Sequence, residues 1–263
     1  MTRPLCILTI AGSDSGGGAG IQADARAIQA LGGYALTAIT AVTAQSGRGI
    51  AMWRPVAPLL IAAQIRTALR DYPVAAIKTG LIPGAAAVRA IAAEIRRHPG
   101  IPLVVDPVIG STSGTRFLSD SGLKALRREL LPLATLVTPN WPEAGALAGA
   151  KVRTDAGAEA AASRLAEEFG CAVLVKGGHA AGPICRDCLA TPDGRVRWFG
   201  GPRIATRNTH GTGCVLLAAI AFQLARGRDV PKAVAMGRSF LIGSLWKNRF
   251  LRWGPGAGPA LAR

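Results

Sequence analysis

Leu5-Cys-Ile-Leu-Thr-Ile-Ala11, then Gly12-Ser-Asp-Ser-Gly-Gly-Gly-Ala-Gly20, then Ile21-Gln-Ala-Asp24: this opening stretch decides how the chain folds. The apolar run is too short for a helix and stops at Gly and Asp, so Leu5–Ala11 reads as a buried strand. Gly20–Leu31 follows as an amphipathic helix. Glycines between a strand and a helix let the backbone come close to a ligand at the helix N-terminus. The spacing is wrong for the dinucleotide pattern G-x-G-x-x-G, and no Gly-Lys-Ser/Thr ending marks a P-loop. A flexible turn is the other reading of these glycines taken alone.

The same unit recurs along the chain. Strand-like runs at Ala35–Ala44, Val74–Thr79, Pro102–Asp106, Thr135–Thr138 and Ala172–Lys176 alternate with helical stretches at Pro58–Arg70, Gly84–Arg97, Ser119–Leu131, Pro142–Ala148 and Asp155–Phe169. Continuous apolar strands between helices predict an α/β fold, with a mostly parallel central sheet covered on both faces. Asp187–Thr191 and Arg195–Phe199 flank Pro192-Asp193-Gly194, which predicts a C-terminal hairpin. Helices Gly213–Ala225 and Pro231–Phe250 finish the chain. No internal repeat, low-complexity block or linker interrupts residues 1–263, so a single domain is expected. Ligands of such a sheet sit beyond the C-terminal ends of its strands.

Composition narrows the function classes. The net charge is +16, but the basic residues are scattered singly or in pairs such as Arg96-Arg97. No basic tail or aromatic-interleaved stripe suggests a nucleic-acid partner. The longest apolar helical stretch, Cys214–Leu224, is far below the roughly 20 residues of a membrane span and contains Gln223. Leu5–Ala11 lacks the flanks of a signal peptide. Five cysteines, odd in number and uneven in spacing, argue against a disulfide framework. A cytoplasmic protein with neither nucleic acid nor membrane as partner is expected.

Chemistry-bearing loops follow nearly every strand. Asn208-Thr-His-Gly-Thr-Gly-Cys214 precedes an apolar helix, and its glycines free backbone N–H groups to form an anion-binding nest. Cys214 falls at the helix start, where the positive dipole end favours thiolate. Asp106, Asn140 and Glu143, at neighbouring strand ends, read either as Mg²⁺ and phosphate residues or as helix caps. Lys176-Gly-Gly-His179 ends another strand. Cys185-x-x-Cys188 has no partner pair and lies in an extended segment, where residues three apart face opposite sides, so structural cysteines are expected. His98 is expected in solvent.

Together, Thr9-Ile-Ala-Gly-Ser-Asp14, Gly17-Gly-Ala-Gly-Ile-Gln-Ala-Asp24, Ala44-Gln45, Lys78-Thr-Gly80, Thr138-Pro-Asn140 with Glu143, Lys176-Gly-Gly-His179, Thr209-His-Gly-Thr-Gly-Cys214 and Gly254-Pro-Gly-Ala-Gly-Pro259 resemble the hydroxymethylpyrimidine/phosphomethylpyrimidine kinases of thiamin biosynthesis. The resemblance implies a ribokinase-like three-layer α/β/α fold. It also implies two successive transfers from ATP with Mg²⁺, first to a 5-hydroxymethyl oxygen and then to the monophosphate. Gly12, Asp24, Gln45, Leu81 and Val108 match pyrimidine-binding positions. Asp106, Asn140 and Glu143 match the metal and phosphate region, and Lys176, Thr209 and His210 the nucleotide side. Gly211, Thr212, Gly213 and Cys214 match the anion hole and catalytic residue. The likeness further implies a homo-oligomer, a dimer.

Cys214 discriminates within the superfamily, because sugar kinases of this group usually carry Asp there. Three departures from the family pattern stand out: Leu81 for a usual Met, Val215 for Thr or Ser, and Thr112 for a frequent Lys. The last makes the second transfer the slower one by expectation, unless Arg116 supplies the charge. Pyridoxal kinase is the alternative reading on the same chemistry, and a non-catalytic pyrimidine-binding regulator the alternative of another class.

Overall fold

The computed structural model describes residues 4–110, 114–178 and 182–261. Strands β1 (Cys6–Asp14), β2 (Tyr34–Ser46), β3 (Gly49–Pro55), β4 (Val74–Thr79), β5 (Leu103–Val105), β6 (Leu136–Val137), β7 (Ala172–Lys176), β8 (Ile184–Ala190) and β9 (Val196–Pro202) form one sheet in the order β3-β2-β1-β4-β5-β6-β7-β8-β9. The central six are parallel, and β3, β8 and β9 are antiparallel additions at the two edges.

Alternation along the strands builds the two covered faces. Leu8, Val105, Val137 and Val173 pack into one apolar cluster with α2 (Pro58–Asp71), α3 (Gly84–Arg96), α5 (Trp141–Ala148) and α6 (Asp155–Phe169). Their neighbours Ile7, Val104, Leu136 and Leu174 pack into the other, with α1 (Gly20–Ala30), α7 (Thr212–Ala225) and α8 (Val230–Asn248). Helix α7 lies against this second face, which explains why ten of its residues, Val215–Leu224, are buried in succession. The three-layer α/β/α arrangement expected from the sequence is present.

Local departures have local causes. Ser46-Gly47-Arg48-Gly49 is a hairpin turn into β3, a strand whose alternation is hidden by its exposed edge position. The helix expected over 119–131 is α4 (Asp120–Ala125), prolonged by a π turn at Leu126–Leu130 and a 3₁₀ turn at Leu131–Leu133, where Pro132 stops it. Both strands of the C-terminal hairpin run three residues further than predicted at their outer ends and stop one residue short at the turn, which Gly194 N–H to Thr191 O closes at 2.9 Å. Cys185 and Cys188 sit on opposite sides of β8 as free thiols.

Candidate active site

Asp14 at the end of β1, Gln45 at the end of β2, Asp106 just after β5 and Lys176 at the end of β7 meet beside the loop that starts α7. Asp14, the last residue of β1, organises the glycine loop. Its carboxylate accepts from Gly16 N–H and Ala19 N–H at 2.8 Å each, and His210 Nε2 lies 2.8 Å away. Burial works to raise this carboxyl, but the hydrogen bonds from His210, Ala19 and Gly16 outweigh it and hold it below its ordinary value. At Gly211, the N-cap of α7, φ is +78°, and a Cβ would stand 1.9 Å from Gly18 O. Only glycine permits that contact, so the two glycine loops interlock at this point.

Behind them sits an ion pair with no exposure. Lys78 Nζ is 2.9 Å and 2.8 Å from the two Asp24 oxygens, and Thr9 Oγ1 also bonds Asp24. Lys78 and Asp24 are each 0% exposed. Burial opposes both charges and raises the Asp24 carboxyl, but the Asp24 carboxylate, with Asp106 beyond it, more than offsets burial at Lys78, and the two short contacts make an ion pair.

Cys214, in the first turn of α7, is half-buried. Burial pushes its thiol up to about 11, Asp24 and Asp106 push the same way, and Lys78 and the Gly20 amide oppose them. The thiolate expected from the helix dipole is therefore not the resting form: desolvation and two carboxylates overcome the helix end.

A second pair flanks the nest. Lys176 Nζ bonds Asp106 Oδ1 at 2.8 Å. A Cβ on Gly213 would lie 3.7 Å from both Asp106 Oδ2 and Lys176 Nζ, so the bare backbone at 213 leaves space in front of them. Asn140 and Glu143 form a reciprocal capping box at the start of α5, each side-chain oxygen accepting a backbone N–H at 2.9 Å. Burial, and next to it Asp106, push the Glu143 carboxyl up to about 7, against the pull of Lys176.

Among the described residues no group of three or more His, Cys, Asp or Glu side chains is arranged to hold a metal ion. Mg²⁺ in phosphoryl transfer needs less, because one or two carboxylates suffice when phosphates and waters complete the octahedron. Asp106, whose Oδ2 borders the space in front of Gly213, fits such an ion, with the Glu143 carboxyl beside it adding negative charge.

Gln45 lies half-buried at the end of β2. Its amide is 3.2 Å from Thr43 Oγ1 and 3.4 Å from His210 Nε2. Gly12 faces Leu81, whose Cδ1 would lie 3.5 Å from a Cβ there, and Thr40 Oγ1 donates to Leu81 O at 2.5 Å.

The family model for phosphomethylpyrimidine kinase matches residues 14–260. The chain belongs to this family. It is 44% identical to the hydroxymethylpyrimidine/phosphomethylpyrimidine kinase of Rhizobium meliloti, over 96% of this chain and 94% of that one. The enzyme of the same name from Haemophilus influenzae is 38% identical with the same coverage. Among solved structures, phosphomethylpyrimidine kinase from Clostridium difficile 630 superposes with a TM-score of 0.80 at 32% identity, covering 92% of this chain and 99% of that one. The pyridoxal kinase of Staphylococcus aureus in complex with ADP superposes at 0.88 with 29% identity, covering 98% and 93%. The shared fold is ribokinase-like.

Measured against the family expectations, most of the residues converge and three are placed differently. Gln45, Asp106, Lys176 and Gly211–Cys214 gather around the start of α7, Gly12 and Leu81 face each other beside the glycine loop, and Val108 follows Asp106, its N–H on Asp106 O at 2.8 Å. Asp24, expected against the pyrimidine, is sealed in the interior, with both oxygens on Lys78. His210, expected on the nucleotide side, turns its ring to Asp14 and Gln45 instead, while Thr209 stays exposed. Asn140, expected at the metal, has its side-chain oxygen committed to the capping box. Cys214 is in its expected place, with its thiol pushed up by burial rather than down by the helix end.

Val215 is fully buried in the apolar layer, where a hydroxyl would need a partner. Arg116 bonds Leu118 O at 2.7 Å and pairs with the exposed Asp120 at the surface. Thr112 and His179 lie outside the described residues. Sequence reasoning missed the parts played by Lys78, Asp14 and Thr43. The signal for Lys78 was present: a lysine within an apolar strand needs a buried carboxylate.

Proposed function

We propose that this kinase transfers the γ-phosphoryl group of ATP to the 5-hydroxymethyl oxygen of 4-amino-5-hydroxymethyl-2-methylpyrimidine, and then phosphorylates the monophosphate, in cytoplasmic thiamin biosynthesis. The observation that carries this reading is the meeting of Cys214, the Gly211–Gly213 nest and the Gln45 amide at one end of the sheet. Complexes of the S. aureus pyridoxal kinase with ADP and with AMP-PCP support ATP as donor.

In this reading Gln45 holds the ring while the substrate alcohol meets the nest. Backbone N–H groups at the start of α7 stabilise charge on the transferring group. The bond from the alcohol oxygen to phosphorus forms as the bond to the β-phosphate oxygen breaks, and ADP leaves. Cys214, in its thiolate form, takes the alcohol proton. Lys78 favours that form, and Asp24 holds Lys78 in place. Mg²⁺ held by Asp106 and Glu143 would supply charge neutralisation on the phosphates.

Pyridoxal kinase is the second reading, because several of the solved relatives carry that name. The curated pyrimidine kinases are closer in sequence, at 38–44% identity against 28–31% for the pyridoxal kinases. The same reading takes the active form as a homodimer, which sedimentation of the purified chain tests.

The deciding assay supplies ATP and Mg²⁺ with either heterocycle and separates mono- from diphosphate. Both pyrimidine phosphates are expected, with the diphosphate slower. A preference for pyridoxal would install the second reading. Binding of the pyrimidine without ATP turnover would leave a regulator.

A further inference from the structure

The Gln45 amide stands between two groups whose protons are already assigned. Asp14 is 3% exposed and anionic, accepting two backbone N–H bonds. The proton in its 2.8 Å contact with His210 Nε2 therefore belongs to the imidazole. That makes Nε2 a donor, yet the Gln45 amide nitrogen, also a donor, faces it at 3.4 Å. At the other end, Thr43 Oγ1 gives its one proton to Ser13 O at 2.9 Å, because a carbonyl can only accept. Its lone pairs then face Gln45 Oε1, another acceptor, at 3.2 Å. Amide oxygen and nitrogen have nearly the same shape, and the hydrogen-bond network decides which is which. Half a turn of the amide resolves both conflicts at once, with Oε1 toward His210 and Nε2 toward Thr43.

We propose that the Asp14–His210 pair sets the polarity of the Gln45 amide, and so selects which edge of a heterocycle the pocket accepts. The inference rests on the reading of Gln45 as a ring-binding residue. Turned this way, the amide offers one free N–H on the Thr43 side and one free oxygen lone pair on the His210 side. A 4-aminopyrimidine edge complements it: the ring nitrogen accepts and the exocyclic amine donates, with the amine toward His210. A 4-oxo pyrimidine has the reverse edge, N–H beside C=O, and meets the amide donor to donor. His210 is well held for this task, since its backbone N–H donates to Gly258 O at 3.0 Å and its backbone carbonyl accepts from Ala260 N–H at 2.9 Å. Asp14 and His210 are positioning residues here, acting through Gln45.

The test compares the 4-amino substrate with its 4-oxo counterpart in native protein, Gln45→Ala and His210→Ala, by calorimetric binding and by KM and kcat. Native protein should prefer the amino compound by about a hundredfold or more, since a site built on paired donors and acceptors rejects the mismatch strongly. His210→Ala should bring that ratio within about tenfold, through KM more than kcat, because the freed amide can answer either edge. If the ratio survives Gln45→Ala, Gln45 does not read the ring and the underlying reading fails. If Gln45→Ala collapses the ratio while His210→Ala preserves it, the proposal alone fails. Nitrogen-15 NMR of the native protein, which has three histidines, gives a check independent of any variant. His210 must carry its proton on Nε2, and a bare Nε2 would overturn the proposal.

Discussion

Lys78 Nζ on β4 reaches both carboxylate oxygens of Asp24 on α1, at 2.9 Å and 2.8 Å, and neither side chain is exposed. The pair ties the glycine-loop helix to the sheet and holds a positive charge next to Cys214. Removing one member leaves the other charge buried alone, so Lys78→Met should cost about 3–5 kcal/mol in urea unfolding. Lys78→Met combined with Asp24→Leu should recover most of that loss, because an apolar pair of similar volume has no charge to strand. Equal losses in the single and double variants would show that packing, not charge, sets the cost.

Gly211 and Gly213 separate folding from function within one loop. Gly211→Ala requires a left-handed backbone at φ +78° and a Cβ 1.9 Å from Gly18 O, so the loops must part. It should lose about 1–3 kcal/mol or more, visible as a lower Tm. The Cβ in Gly213→Ala meets nothing nearer than 3.7 Å. That variant should melt like the native protein yet bind ATP poorly, because the methyl group enters the space before Asp106 and Lys176. Normal ATP affinity in Gly213→Ala would move the phosphate site elsewhere.

The layer order was legible in the sequence because a parallel strand buried on both faces is apolar throughout, whereas its helices show one apolar stripe. The strand β3 was not, since an edge strand in solvent has no apolar face to betray it. The site was half legible. Gly211 and Gly213 announce a nest by spacing alone, but the direction of the His210 ring depends on Asp14, 196 residues away in the chain. Asp24 is a related case: its match to a family position points to a ligand, and only the fold reveals its bonds to Lys78, 54 residues on.

Glu143 carries a pH signature with a definite sign. Its carboxyl is pushed up to about 7 in the folded protein, from an ordinary value near 4.5, chiefly by burial and next by Asp106. A raised carboxyl stabilises the fold below its unfolded value, and that contribution is lost as pH rises through the folded one. Native stability should therefore fall between about pH 4.5 and 7, by up to about 3 kcal/mol from this group. In Glu143→Gln, which preserves the capping acceptor, the slope in this window should flatten. An unchanged slope would assign the pH dependence to other groups.

Cys214 gives the sharpest test of the chemistry. Its thiol is pushed up to about 11, so at pH 8 only about a thousandth is thiolate, and thiolate is the reactive form. Alkylation of Cys214 by iodoacetamide in the free protein should be slow at neutral pH and rise about tenfold per pH unit toward 11. A rate already at its plateau near pH 7 would mean that the helix end and Lys78 prevail over burial. Cys171 and Cys188 are pushed up to about 12 and are buried, so peptide mapping will separate the sites. If Cys214 accepts the alcohol proton, kcat must rise with pH over the same range, and Cys214→Ala must lose both the activity and its slope. The loss should be about 10²–10⁴ in kcat, the usual share of a general base, with an unchanged Tm. Near-native turnover in Cys214→Ala would remove the thiol from proton transfer. Rate would then rest on positioning and the backbone nest, which a loose transition state with late proton release allows.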